Sequence, residues 1–307
     1  MAGDAQTGSA RHQLQVGPSL VTGLPGQPRC LVMGVVNVTP DSFSDGGSWL
    51  DPAAAIGHGR ELADQGADIV DVGGESTRPG AQRVPVNEEL RRVLPVITEL
   101  AAAGHYVSID TMRAEVASQA LRAGARMVND VSGGLADPEM AAVVAAAGVP
   151  YVMAHWRGHS SDMYGRASYA DVVAEVRSEL AERVASALAA GLDPAQVIVD
   201  PGIGFAKVAE QNWALLASVG QLGSLPGHQS RFPVLVAASR KSFLGKLLAG
   251  PEGEPRSPAA SDDATIALTA LAAAAGAWCV RVHAVPGNAD AVRVARRWQQ
   301  ACAGEAR

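Results

Sequence analysis

Eight short apolar runs, each stopping on a polar residue and each followed by a helix-length segment, constrain this 307-residue chain more than any other feature. The first, Leu31-Val32-Met33-Gly34-Val35-Val36, ends at Asn37 and opens into a polar loop closed by Gly46 and Gly47. A second run over 68–72 enters the glycine-bounded stretch 73–80. Runs over 106–109 and 126–128 stop at Asp110 and Asn129. Those over 151–154, 197–199, 234–237 and 278–282 stop at His155, Asp200, Ser239 to Lys241, and His283. The intervening patterns predict helices over 52–65, 87–103, 113–123, 138–147, 171–190, 211–219, 262–275 and 288–300. Asp51 as N-cap and Pro52 in the first turn of the first helix, with Gly66 after it, are start and stop signals.

The runs are β-branched and nearly free of polar alternation, as in a parallel sheet covered on both faces. Eight such units in a chain of this length predict an α/β fold, a single-domain (β/α)8 TIM barrel over 30–302 with its active site at the C-terminal ends of the strands. The first βα turn lacks the glycine fingerprint of a dinucleotide fold. Residues 1–29, rich in Gly, Pro, Gln and Ser, read as a largely disordered N-terminal extension. The segment 250–261, with three prolines, reads as a mobile loop.

Composition narrows the class. Hydrophobic residues make up 48% and aromatics only 4%, so the core must be built from Ala, Val, Leu and Ile. A net charge of −6 weighs against a nucleic-acid partner but not against a small anionic substrate. Cys30, Cys279 and Cys302 fit neither a zinc site nor a disulfide framework. The N-terminus has no apolar signal region and no run reaches the ~20 residues of a membrane span, so no membrane partner is expected and the predicted compartment is the cytoplasm.

Closing a barrel brings the polar stops to one rim. Asp110, Asn129, Asp200 and Lys241 offer two carboxylates, an amide and an ammonium, which suits a heterocycle carrying donors and acceptors on its edge. Arg78, Arg281 and His283, with Asn37 and Thr77, are rich in donors and cationic, which suits a phosphate or pyrophosphate. Asn37 and Asp45 offer oxygen ligands of the kind Mg2+ takes beside substrate phosphates. A flat heterocycle joined to a phosphorylated arm satisfies both groups.

The chain resembles the dihydropteroate synthase family in MGVVNVTPDSFSDGG at 33–47, DVGGESTRPGA at 71–81, SIDT at 108–111, NDVSGG at 129–134, DPGIGF at 200–205, SRKSFLG at 239–245 and RVH at 281–283. The resemblance implies a folate-pathway transferase joining 4-aminobenzoate to 6-hydroxymethyl-7,8-dihydropterin pyrophosphate, with Mg2+ as cofactor. It implies that Asp110, Asn129, Asp200 and Lys241 hold the pterin, with Met153 on the pocket wall. Asn37, Thr77, Arg78, Arg281 and His283 are implied for the pyrophosphate, and Asn37 and Asp45 for the metal. Phe43, Thr77, Pro79, Phe205, Lys241 and Ser242 are implied for 4-aminobenzoate, whose pocket should also accept sulfonamides. Arg78, Asp110, Lys241, Arg281 and His283 carry the implied chemistry, in which pyrophosphate departs first and the arylamine then attacks. A homodimer through the Ala-rich late helices 262–275 and 288–300 is also implied. Two rivals are a methyltetrahydrofolate-binding methyltransferase, which has no use for pyrophosphate ligands, and a non-catalytic pterin-binding paralogue.

Overall fold

The computed structural model describes residues 28–39, 51–76, 83–158 and 166–304. Its strands are β1 Leu31–Asn37, β2 Ile69–Gly73, β3 Val107–Asp110, β4 Met127–Asp130, β5 Tyr151–Ala154, β6 Val197–Asp200, β7 Leu235–Val236 and β8 Cys279–Val282. All pair in parallel, in the order β6-β5-β4-β3-β2-β1-β8-β7. A single parallel bridge, Val199 to Val234, joins the two ends, and the Val199 amide donates to Pro233 O at 2.9 Å. The sheet is therefore a barrel, welded round most of its circumference and clasped at one point.

The helices between the strands are α1 Pro52–Asp64, α2 Val86–Ala102, α3 Ala114–Arg122, α4 Met140–Ala147, α5 Val172–Ala189, α6 Ala209–Ala217, α7 Val219–Leu222, α8 Ser242–Leu247, α9 Asp262–Ala274 and α10 Val285–Cys302. Asp51 caps α1 by accepting from the Ala53 amide at 3.0 Å, and Asp171 caps α5 through the amides of Val173 and Ala174 at 3.0 Å each. Two short helices, α7 and α8, were not expected from periodicity. Each is too short for a full apolar stripe, and α8 forms because Phe243 and Leu244 bury against the barrel.

Strand alternation divides the core in two. One set of side chains faces the helices and includes Val32, Val36, Val70, Val72, Ile109, Val128, Tyr151, Val197 and Val280. The other fills the barrel interior: Leu31, Met33, Ile69, Tyr106, Met127, Val152, Ile198, Leu235 and Cys279. Going up four of the strands, the inward positions change from apolar to polar. Ile69 is followed by Asp71, Met127 by Asn129, Ile198 by Asp200, and Cys279 by Arg281. The floor of the site is thus the upper surface of the packed interior.

The strands also run further than the polar stops suggest. Asp110 pairs with both Gly73 and Asn129, and Asp200 pairs with Ala154, so these carboxylates are strand residues aimed by the ladder rather than by a turn. The Pro-rich segment 250–261, read from sequence as mobile, is exposed over 250–260. It is tied to α8 by the Arg256 amide, which donates to Gly245 O at 3.0 Å. At the opposite end of the barrel the Arg29 guanidinium grips both carboxylate oxygens of Asp68, at 2.8 and 2.9 Å. The rest of the expected N-terminal extension, 1–27, lies outside the described residues.

Candidate functional site

The polar tier is organised around Arg281 on β8. Its Nε donates to Asp71 Oδ2 and its Nη2 to Asp110 Oδ2, each at 2.6 Å. Asp71 is fully buried and its Oδ2 also accepts from Asn129 Nδ2 at 2.9 Å. One carboxylate below the floor therefore fixes two groups that face upward. Burial works against the charge on Arg281, but Asp71 and Asp110 outweigh it and hold its pKa raised. Burial pushes Asp110 up to about 7; Arg281 pulls it down and the Asp71 carboxylate adds to the rise. Gly73, the neighbour of Asp110 across the ladder, has no side chain to crowd that carboxylate: a Cβ there would lie 3.4 Å from Asp110 Cβ.

Across the mouth, Asp200 is buried at the top of β6 and its Oδ1 accepts from the Gly202 amide at 2.7 Å. Burial raises its pKa, opposed by that amide and by the charge of Lys241. Lys241 reaches the same place from the β7 side. The residue before it, Arg240, has a left-handed φ of 57° and is pinned by two bonds to Asp262, at 2.9 Å each. The Lys241 ammonium sits 4.0 Å from the centre of the Phe205 ring, a cation–π contact. It passes close by Gly204, where a Cβ would lie 2.9 Å from Lys241 Cδ. Burial pushes Lys241 down to about 8, with Asp200 holding it up. Ser242 is exposed at the first turn of α8.

His283, past the end of β8, is held by Ser239. The Ser239 hydroxyl lies 3.0 Å from His283 Nδ1 and accepts from the His283 amide at 3.3 Å. Asn37 ends β1, half-buried, opposite Gly73. The structure thus gathers Asn37, Asp110, Asn129, Asp200, Phe205, Lys241, Ser242, Arg281 and His283 at one end of the barrel. Phe43, Asp45, Thr77, Arg78 and Pro79 lie outside the described residues. The stems on either side of 77–82 are tied together: Glu75 accepts from the Val84 amide at 3.1 Å and pairs with Arg113 at 2.8 Å.

Met153 does not belong to the pocket wall. Its side chain packs in the helix-facing cluster, because period-2 alternation on β5 sends Val152 and then Ala154 inward. Ala154, paired with Asp200, takes the inward position nearest the floor. Asp71 is the residue that sequence reasoning passed over. Its signal was a lone carboxylate inside the apolar strand Ile69-Val70-Asp71-Val72, on the inward parity. His155 reads as a rim residue but is fully buried, bonded through Nε2 to Glu179 at 3.0 Å and through Nδ1 to Lys207 at 3.0 Å.

A barrel mouth that sets two carboxylates and an amide over a packed apolar interior, with cations at two sides, suits a polar heterocycle carrying an anionic arm. Comparison with known proteins agrees: a profile described as "Pterin binding enzyme" matches residues 33–283, and the chain belongs to that family. Within it the chain is similar to the dihydropteroate synthase of Mycobacterium leprae, 54% identical over 271 residues, covering 88% of this chain and 94% of that protein. Among solved structures, the Xanthomonas albilineans dihydropteroate synthase with 4-aminobenzoic acid is 45% identical with a TM-score of 0.79, covering 90% of this chain and 94% of that one. The Yersinia pestis dihydropteroate synthase with a sulfonamide drug is 34% identical with a TM-score of 0.83, covering 91% and 98%.

Two outcomes follow from this geometry. Asp71→Ala removes the shared partner of Arg281 and Asn129 and leaves a buried cation half-paired, a change worth about 3–5 kcal/mol in such pairs. It should lower the unfolding free energy by that order in urea titrations and abolish measurable pterin binding, although Asp71 need not touch the ligand. Separately, Lys241 is a cation below pH 8 and neutral above it, from the value its burial gives it. The pH profile of kcat/KM should therefore fall as pH rises through about 8, and Lys241→Arg, charged throughout, should lack that limb at whatever activity it retains. A wild-type profile flat to pH 9.5 would contradict the assignment.

Proposed function

We infer that the chain is a dihydropteroate synthase, a transferase of folate synthesis. It joins 4-aminobenzoate to the methylene carbon of (7,8-dihydropterin-6-yl)methyl diphosphate, releasing pyrophosphate and forming 7,8-dihydropteroate. The observation that carries this reading is the facing pair of polar groups at the mouth, Asp200 with Lys241 and Phe205 on one side and Arg281 with Asp110 and Asn129 on the other, in a chain of this family.

The chemistry asks little of a protein nucleophile. The methylene C–O bond breaks and its electron pair leaves with the diphosphate. The arylamine lone pair then forms the new C–N bond, and the amine gives up a proton. Asp200 accepts from the ring N–H and the adjacent amino group; Asn129 and Lys241 complete that edge. Asp110, on the other side, favours the positive charge that develops on the pterin. Arg281 and His283, with Asn37, Thr77 and Arg78, meet the negative charge that develops on the departing diphosphate, where such contacts matter most. Phe205, Lys241 and Ser242, with Phe43, Thr77 and Pro79, form the 4-aminobenzoate site, which sulfonamides share.

Mg2+ fits this arrangement as a metal held mainly by substrate. Among the described residues no group of three His, Cys, Asp or Glu side chains could hold a metal ion. Asn37, at the rim, would supply one oxygen, and Asp45, outside the described residues, would supply a second, the one or two protein groups that Mg2+ commonly takes beside phosphates. When bound, it would neutralise charge on the diphosphate. Among the described residues no helix is long and apolar enough to cross a membrane. We propose a cytoplasmic site of action, with which three free cysteines, Cys30, Cys279 and Cys302, are in keeping.

A direct assay tests the reading. Pyrophosphate release from the dihydropterin diphosphate should require 4-aminobenzoate, and a sulfonamide should compete with 4-aminobenzoate alone. Methyl transfer from methyltetrahydrofolate without pyrophosphate release, or pterin binding without turnover, would each overturn it. We also propose a homodimer through α9 and α10. Leu271, Val294 and Trp298 stand 65–68% exposed there, and Val294 and Trp298 share a face at i, i+4 spacing. Sedimentation should give twice the 31.5 kDa chain mass, and Trp298→Glu should return the single-chain value.

A further inference from the structure

We propose that Lys207 is a positioning residue for the second-substrate pocket: its buried ammonium holds the carbonyls of the turn 202–205 and thereby sets Phe205 against Lys241. The proposal rests on the reading of Phe205 and Lys241 as part of the 4-aminobenzoate site.

Lys207 is 3% exposed, rare for lysine unless it has a partner. Its bonds go to Gly202 O at 3.1 Å, Phe205 O at 3.0 Å and His155 Nδ1 at 3.0 Å. As an ammonium it has three donors, and this set uses all of them; burial lowers its pKa to about 7, with the Asp200 charge opposing. Among the described residues it forms no ion pair with a carboxylate. His155 is set for the role. Burial and then the Lys207 charge push its pKa down to about 3, so the ring is neutral. Its Nδ1 accepts from Lys207, which leaves the proton on Nε2 to donate to Glu179 Oε2 at 3.0 Å. Glu179 is held in turn by Arg157.

The turn is shaped around this ammonium. Gly202 has φ 66°, and a Cβ there would lie 2.1 Å from His155 O and 3.3 Å from Lys207 Nζ. Ala206 has φ 48°, a left-handed conformation costly for a residue with a side chain. That reversal turns Lys207 back beneath the residues it follows. The two ends of the turn are anchored differently. At the Asp200 end the Gly202 amide bonds the carboxylate at 2.7 Å, and the Gly204 amide bonds Asn212 Oδ1 at 2.7 Å. At the far end the Phe205 amide bonds Gly202 O at 3.0 Å, and Lys207 holds both that oxygen and the Phe205 carbonyl. Removing the ammonium leaves the Gly202 amide on Asp200 but takes the Lys207 bond from the Phe205 carbonyl, so Phe205 loosens more than Asp200.

The test compares Lys207→Met, which keeps an unbranched apolar stem one atom shorter and loses the donors, with Phe205→Ala and wild type. In Lys207→Met the KM for 4-aminobenzoate should rise about tenfold or more, the scale of one lost hydrogen bond to a charged group, while pterin affinity by calorimetry changes by less than about threefold. Phe205→Ala should raise the same KM. If Phe205→Ala raises it and a folded Lys207→Met does not, the role of Lys207 is overturned and the pocket reading stands. If Phe205→Ala leaves it unchanged, both fall. If Lys207→Met weakens pterin and 4-aminobenzoate equally, the residue serves the fold at large and the proposal fails. Should the Met variant not fold, Lys207→Gln keeps two amide donors and should show a smaller rise in the same KM with pterin affinity intact. An unchanged KM there overturns the role as well.

Discussion

The guanidinium of Arg281, held between Asp71 and Asp110, is the interaction on which the site depends. It joins β8 to β2 and β3 across the barrel interior, and Asp71 extends the link to Asn129 on β4. Burying such a group is a poor way to gain stability, since apolar side chains of similar volume commonly do as well or better. What it provides is aim. Asp110 and Asn129 have fixed partners below and beside them, so the faces they turn upward are set before any ligand arrives. Preorganisation of this kind lowers the cost of binding a rigid polar ring.

Above that floor the two sides of the mouth are built by different means. On the Arg281 side, strands carry the functional groups and the ladder aims them. On the other side Asp200 ends β6, but loops carry its neighbours: Phe205 after β6, and Lys241 after β7 behind the left-handed Arg240. A loop needs separate fixings, and they are present as Asp262 on Arg240, Asn212 on Gly204 and Lys207 on the 202–205 turn. The proposed division of labour follows that contrast. In that reading the strand-borne Asp110, Asn129 and Asp200 suit a flat ring of fixed shape, and the loop-borne Phe205 suits the second reactant.

The barrel was legible because short parallel strands covered on both faces leave an unmistakable apolar pattern, and because a polar stop at the end of each one has no structural necessity. Asp110, Asn129, Asp200 and Lys241 were placed at the rim that way, whereas Arg281 lies inside its run, two residues before the stop at His283. The misses have physical causes. Asp71 lies within a run, not at its end, so only its inward parity marked it. Met153 was misassigned because a resemblance fixes a stretch of chain but not which face a neighbouring residue takes; alternation gives the inward place to Ala154. Lys207 and Ser239 act on backbone or on another side chain, and one-dimensional spacing carries no record of such bonds. Helix α8 is decided by the burial of Phe243 and Leu244, a tertiary effect.

One detail of the closure has a wider consequence. β7 is two residues long, and the sheet meets itself through the Val199 to Val234 bridge alone. Local opening starts where the ladder is thinnest. Asp200 follows Val199 directly, and Lys241 lies at the end of the segment that continues from Val234, so the loop-built half of the mouth stands on the clasp while the Arg281 half stands on continuous sheet. The mouth therefore rests on unequal foundations: Arg281, Asp110 and Asn129 stand on continuous sheet, while Asp200 and Lys241 flank the one bridge that closes the ring.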